Sequence, residues 1–180
     1  MVSSQVFTFS SSDGTHTVSA VRWLPEGRPR GVVQLVHGIS EHMERYDGFA
    51  RFLARHGFAV AGHDHLGHGR TAADPSEYGW FGGKDGWKYV VKDVRALRER
   101  LGAEYPGVPY FLMGHSMGSF VVRGYLMFWP GTVDGAILSG TGQEPPLTVA
   151  AGRLLSALLG RVKGTKARSP LLDGLSVGRY

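Results

Sequence analysis

Apolar and β-branched runs alternate with helical patterns along most of the chain, and clusters of Gly and Pro separate them. Residues 6–9 and 17–23 predict two strands joined through a Ser/Asp/Gly turn at 10–14. After the PEGRPRG break, residues 32–36 form a continuous apolar strand, and 58–61 predict another buried one. Between them, Phe49, Phe52 and Leu53 stand at helical spacing within 49–56. Trp87, Val90, Val91, Val94, Leu97 and Leu101 repeat at i, i+3, i+4, i+7, i+10 and i+14, an amphipathic helix. Residues 110–113 then read as a strand, 119–129 as a helix and 136–138 as a strand. The resulting order is β-β-β-α-β-α-β-α-β. Its last four strands are short, apolar and separated by helices, which suits a parallel sheet covered on both faces. The opening pair is expected as an antiparallel edge.

A shift in composition follows Pro145 and Pro146. From Leu147 the chain reads LTVAAGRLLSALLGRV, with Leu147, Leu154, Leu155, Leu158, Leu159 and Val162 at helical spacing. The expected organisation is therefore a core over 1–146 and a separate helical segment over 147–180. Charge follows the same division. Residues 1–150 hold 14 Lys and Arg against 14 Asp and Glu, so the net charge of +5 lies entirely in the last thirty residues. There Arg153, Arg161, Lys163, Lys166, Arg168 and Arg179 face only Asp173, and no aromatic residue interleaves them before Tyr180. A nucleic-acid interface would spread such charges over a folded face with aromatics among them, so none is expected. A basic amphipathic segment over 147–168 instead suits a membrane surface.

At 180 residues and 42% hydrophobic, the chain can bury roughly 70% of its unfolded surface, which argues against disorder as its main state. No stretch approaches the roughly 18 apolar residues of a membrane span. MVSSQVFTFSS has neither the basic start nor the apolar run of a signal peptide, so a soluble, cytoplasmic protein is expected. With no cysteine, disulfides and thiolate metal sites are excluded.

The chemistry concentrates at Gly114-His115-Ser116-Met117-Gly118. Acyl transfer through serine needs an exposed hydroxyl, a base, and amide donors for the developing oxyanion. In this composition a bare G-x-S-x-G arises by chance roughly 0.3 times, and a second match stands at 174–178 around Ser176. Context separates them. Ser116 follows the apolar PYFLM and precedes a helical pattern, as a strand-to-helix nucleophile turn requires, whereas Ser176 follows a Pro-containing loop near the end of the chain. Ser116 is the candidate nucleophile and Ser176 a decoy. The oxyanion donors should be the amide after the nucleophile, on Met117, and one from the loop His37-Gly38-Ile39-Ser40 behind the apolar VVQLV.

Three stretches, HGISEHMERY (37–46), DHLGHGRT (64–71) and GHSMG (114–118), resemble in sequence and order the signatures of the monoacylglycerol lipase / lysophospholipase group of α/β-hydrolases, the serine aminopeptidase S33-like proteins. Thr71 stands where that group usually has serine. The resemblance implies an α/β-hydrolase fold, a small acyl-ester lipid substrate and no cofactor. It also implies Ser116 as nucleophile, with the backbone N–H groups of Ile39 and Met117 as oxyanion donors. It further implies a triad in the order Ser, Asp or Glu, His. All eight histidines precede Ser116, and neither Asp134 nor Asp173 fits the acid position. The chain thus reads as the N-terminal part of such a hydrolase, ending inside what resembles the cap, with poor activity expected of it alone.

Two other readings compete. A catalytically inert lipid- or partner-binding remnant of the fold would need no base. His63, His65 and His68 at i, i+2 and i+5 imitate a zinc hydrolase site, although Gly67 stands where such sites carry an aspartate. Gly67-x-Gly69-x-x-Ala72 imitates a dinucleotide fingerprint but is followed by Pro75, Gly79, Gly82 and Gly83 rather than by a helix.

Overall fold

A computed structural model describes residues 2–83, 85–164 and 169. The chain divides into two compact units, Met1–Thr141 and Gly142–Tyr180. The first carries the sheet. Its strands are β1 (Ser4–Ser10), β2 (Thr17–Trp23), β3 (Gly31–Val36), β4 (Phe58–His63), β5 (Tyr110–His115) and β6 (Gly135–Ser139). Its helices are α1 (Asp47–Arg55), α2 (Gly86–Glu104) and α3 (Met117–Phe128). In the sheet the strands lie in the order β1-β2-β4-β3-β5-β6. β1 and β2 pair antiparallel at one edge and β2 meets β4 antiparallel, while β4, β3, β5 and β6 run parallel. This is an α/β-hydrolase core.

Alternation along the strands builds a core on each face. Val32 and Val36 of β3, Ala59 and Ala61 of β4, and Tyr110 and Leu112 of β5 pack with Val91, Val94, Leu97 and Leu101 of α2 and with Val122 and Tyr125 of α3. On the other face, Trp23, Val33, Leu35 and Val60 pack with Met43, Ala50 and Ala54. Gln34 is the polar exception inside β3. Its carboxamide is satisfied, accepting from the Tyr110 hydroxyl at 2.5 Å and donating to the Val94 carbonyl at 3.0 Å.

Several elements extend past their sequence-derived ends. β4 continues to His63 because Gly62 and His63 still pair with Val21 and Ala20 of β2. α3 begins at Met117 rather than 119, directly after the turn at Ser116. In α1 the small Ala50 and Ala54 are buried, while Phe49 and Phe52 are exposed. Trp87, in the first turn of α2, is likewise exposed and stacks on Phe128 with ring centroids 5.8 Å apart.

The second unit holds α4 (Pro146–Lys163). Leu147, Leu154, Leu158 and Val162 are exposed along it. No helix among the described residues is long and apolar enough to cross a membrane. Asp173, Ser176 and the basic residues Lys166, Arg168 and Arg179 lie outside the described residues.

Candidate active site

β5 delivers the chain to Ser116, which takes φ 50° and ψ −120° before α3 starts at Met117. Such a conformation is strained for a residue with a Cβ, so it persists only where the surroundings over-determine it. Here they do. The Ser116 N–H donates to the Ser139 carbonyl at 2.9 Å, and the Ser116 carbonyl accepts from the Ser119 N–H at 2.9 Å and the Ser119 hydroxyl at 2.6 Å. The glycines on either side allow the turn to close. A Cβ on Gly114 would stand 2.4 Å from the Gly118 carbonyl oxygen, and one on Gly118 only 2.0 Å from that of Val36. The Ser116 hydroxyl itself has no hydrogen-bond partner among the described residues.

The loop after β3 lies against this turn. A Cβ on Gly38 would be 3.2 Å from the Ser116 Cβ and 3.3 Å from the His115 carbonyl oxygen. Its amides are claimed one by one. The Gly38 N–H donates to Glu41 Oε1 at 2.5 Å, the Ser40 N–H to His68 Nε2 at 3.3 Å, and the Met43 N–H to Asp64 Oδ1 at 2.8 Å. The N–H groups of Ile39 and Met117 have no partner among the described residues. Met117 follows Ser116 directly, and Ile39 follows Gly38, the residue whose added Cβ would meet Ser116.

Glu41 ties this loop to the turn. Its buried Oε1 also accepts from the Tyr46 hydroxyl at 2.8 Å and lies 3.3 Å from His115 Nδ1, while Oε2 lies 3.5 Å from Arg45 Nε. Burial pushes the carboxyl upward, but the donors from Tyr46, Gly38 and His115 outweigh it and hold it below the ordinary carboxylate range. Asp64 makes a second tie, its Oδ2 accepting from the Arg70 N–H at 2.8 Å. The Thr71 hydroxyl donates to the Asp64 carbonyl at 2.6 Å and accepts from the Ser19 N–H at 3.0 Å, so threonine supplies the bonds that the hydroxyl position calls for. Sequence reasoning placed Glu41, Tyr46 and Asp64 inside motif stretches without a role for any of them, and His68 only as a ligand in the zinc alternative. Their partners lie on other loops, which spacing does not reveal.

Four histidines are buried beneath the loop. His37 donates from Nδ1 to the Gly38 carbonyl at 2.7 Å, and its Nε2 accepts from the His65 N–H at 3.0 Å. Both nitrogens of His63 and the Nδ1 of His65 have no partner among the described residues. Burial pushes the imidazoles of His37, His65 and His68 below their ordinary value, and that of His63 down to about 3. The zinc alternative at His63, His65 and His68 does not match this geometry. His68 has committed Nδ1 to the Leu66 carbonyl and Nε2 to the Ser40 N–H. Among the described residues, no three His, Cys, Asp or Glu side chains are arranged to hold a metal ion.

Asp134 is far from acid duty. Its carboxylate accepts the Tyr110 N–H at 2.7 Å, at the opposite end of β5 from Ser116. Two cavities, of about 460 and 410 Å³, are lined by Val2, Pro25 and Arg55 and by Ser4, Trp23 and Arg70 respectively. Neither is lined by Ser116, Ile39 or Met117.

A mostly parallel sheet with a glycine-flanked serine at the end of β5 defines the class as an α/β-hydrolase. Residues 27–174 match the model of the serine aminopeptidase, S33 family, and the chain belongs to that family. It is 33% identical over 162 residues to the monoacylglycerol lipase of Mycolicibacterium smegmatis, covering 84% of this chain and 53% of that protein. It is 32% identical over 156 residues to the monoglyceride lipase of Homo sapiens, covering 87% and 47%. The chain therefore spans about half the length of these relatives. Among solved structures, the fold superimposes on a highly thermostable carboxyl esterase from Bacillus coagulans, in complex with glycerol, with a TM-score of 0.84 and 36% identity. That match covers 97% of this chain and 56% of the esterase.

Proposed function

We propose that this chain carries the nucleophile-bearing part of a serine hydrolase that cleaves carboxylic esters of lipids, of monoacylglycerol or lysophospholipid type. Ser116 attacks the ester carbonyl and forms an acyl-enzyme, while the N–H groups of Ile39 and Met117 receive the oxyanion. The observation that carries this reading is the strained, glycine-flanked turn at Ser116, against which the loop that carries Ile39 packs at Gly38. The relatives named as lipases and esterases favour an ester over a peptide substrate.

A fluorophosphonate probe is expected to label Ser116, and Ser116→Ala to abolish labelling, read by peptide mass spectrometry. Hydrolysis of p-nitrophenyl butyrate by the 180-residue chain is expected to be slow, because no histidine follows Ser116 to act as base. Oxyanion donors and binding alone can still leave roughly 10³–10⁴-fold catalysis over water. Rapid turnover abolished by Ser116→Ala would place a base among the upstream histidines. No adduct at Ser116 would favour the inert lipid- or partner-binding remnant.

The second unit adds a surface component to this reading. Residues 147–168 are proposed to contact an anionic lipid surface, supported by the exposed Leu147, Leu154, Leu158 and Val162 on a helix that also carries Arg153 and Arg161. Phosphatidylserine-containing vesicles should co-sediment the chain, and Leu154→Asp with Leu158→Asp should release it. Each basic side chain near such a surface contributes about 1 kcal/mol, so added salt should weaken binding. Equal sedimentation of wild type and double variant would contradict the assignment.

A further inference from the structure

Between two claimed amides of the loop after β3, one is left unclaimed. The Gly38 N–H goes to Glu41 and the Ser40 N–H goes to His68, while that of Ile39 has no partner among the described residues. Ser40 also has φ 57°, one of three non-glycine residues with positive φ among those described, the others being Asp85 and Ser116. A serine in the left-handed region is uncommon and needs a neighbour that holds it there.

His68 has the chemistry to be that neighbour. Its Nδ1 faces the Leu66 carbonyl at 3.0 Å, and a carbonyl can only accept, so the proton sits on Nδ1. Nε2 therefore presents a lone pair, which takes the Ser40 N–H at 3.3 Å. The ring cannot turn away easily. It stacks on Phe81 with centroids 5.6 Å apart and planes 11° apart, and packs 5.4 Å from the His37 ring. We propose that His68 is a positioning residue for the reaction, its Nε2 lone pair locking Ser40 in the left-handed conformation and so keeping the Ile39 N–H available to the substrate oxygen. The inference rests on the reading of Ser116 as nucleophile and adds a residue to it. Burial keeps the imidazole neutral, with the carboxylates of Asp64 and Glu41 pulling weakly the other way and the rings of His37 and His65 beside it.

A residue that merely filled space would be replaceable by leucine, whereas the lock needs an acceptor. The test compares wild type, His68→Leu and His68→Gln in the full chain, with a fluorophosphonate as probe. Labelling of Ser116 is timed by mass spectrometry, and exchange of the Ser40 amide is followed by NMR. His68→Leu should keep its circular dichroism yet slow labelling by roughly 10²-fold, the scale of a small misplacement at a reacting site. Its Ser40 amide should lose protection. Glutamine places its carboxamide oxygen near the position of Nε2 and should recover most of both. Labelling of His68→Leu at the wild-type rate, or glutamine as slow as leucine with the fold intact, overturns the proposal. A wild type that is not labelled at all defeats the hydrolase reading instead. In that case the exchange arm decides: unchanged Ser40 protection in His68→Leu overturns the lock, and lost protection supports it. Should His68→Leu not fold, the imidazole ¹⁵N spectrum of wild type decides. A bare Nε2 at neutral pH supports the proposal, and a proton on it overturns it.

Discussion

Gly118→Ala is expected to leave the protein unfolded or less stable by about 3 kcal/mol or more, at the upper end of what overpacking costs. The new Cβ would stand 2.0 Å from the Val36 carbonyl oxygen and 2.6 Å from that of His37. Both are backbone atoms at the end of β3, the strand that pairs with β4 and β5. No rotamer change relieves such a contact; α3 must move off the sheet, and Ser116 with it. Gly152→Ala in α4 makes the contrast. Nothing lies within 4 Å of its Cβ position, so alanine should be neutral or stabilise the helix by up to about 1 kcal/mol. Urea titrations of both variants give the comparison. A Gly118→Ala protein with the wild-type midpoint would mean that helix and strand are not this close.

Acid should destabilise the core steeply, well before the carboxylates titrate. His37, His63, His65 and His68 are buried and neutral, with burial lowering each of them. In the unfolded chain an imidazole titrates near its ordinary value of about 6.5, so below that pH the unfolded state binds more protons than the folded state. Their stabilising contribution is therefore present above about pH 6.5 and is lost as pH falls towards the folded values, about 3 for His63. Each fully buried imidazole should cost about 2 kcal/mol between neutral pH and about pH 5. His16 works in the opposite sense. Asp13 at Nδ1 and Glu77 at Nε2 raise it, so its contribution is present at lower pH and fades as pH rises through its folded value. It is one partly exposed group against four buried ones. His63→Leu is the informative variant, since both His63 nitrogens lack partners among the described residues and the ring packs edge-on to Phe9 at 5.6 Å. Its urea midpoint should depend less on pH than that of wild type. An unchanged pH dependence would contradict the neutral buried state.

β3 and β5 were readable from sequence because strands in the middle of a covered sheet read as near-continuous apolar runs, as YFLM does and as VVQLV does apart from Gln34. The helical period found α2 and α4 for the same kind of reason. Periodicity did not decide which face of α1 turns inward, because Ala50 and Ala54 lie beside the larger Phe49 and Phe52, and fit to the sheet favoured the small side chains. The short 3-10 helices Met43–Tyr46 and Pro75–Glu77 have no period to read. At the site, the turn at Ser116 was legible from an apolar strand, a glycine pair and a helix in succession. The bonds of Glu41, Asp64 and His68 were not. They join residues from 2 to 74 positions apart across loops whose approach only the folded sheet defines.

Ser116 is proposed to present its hydroxyl between the free amides of Ile39 and Met117. A crystal structure of the chain after reaction with diethyl p-nitrophenyl phosphate tests it most directly. Phosphorus is expected on Ser116 Oγ, with its phosphoryl oxygen about 2.7–3.1 Å from the amide nitrogens of both Ile39 and Met117. Phosphorus on another residue, or a phosphoryl oxygen turned away from both amides, would contradict it.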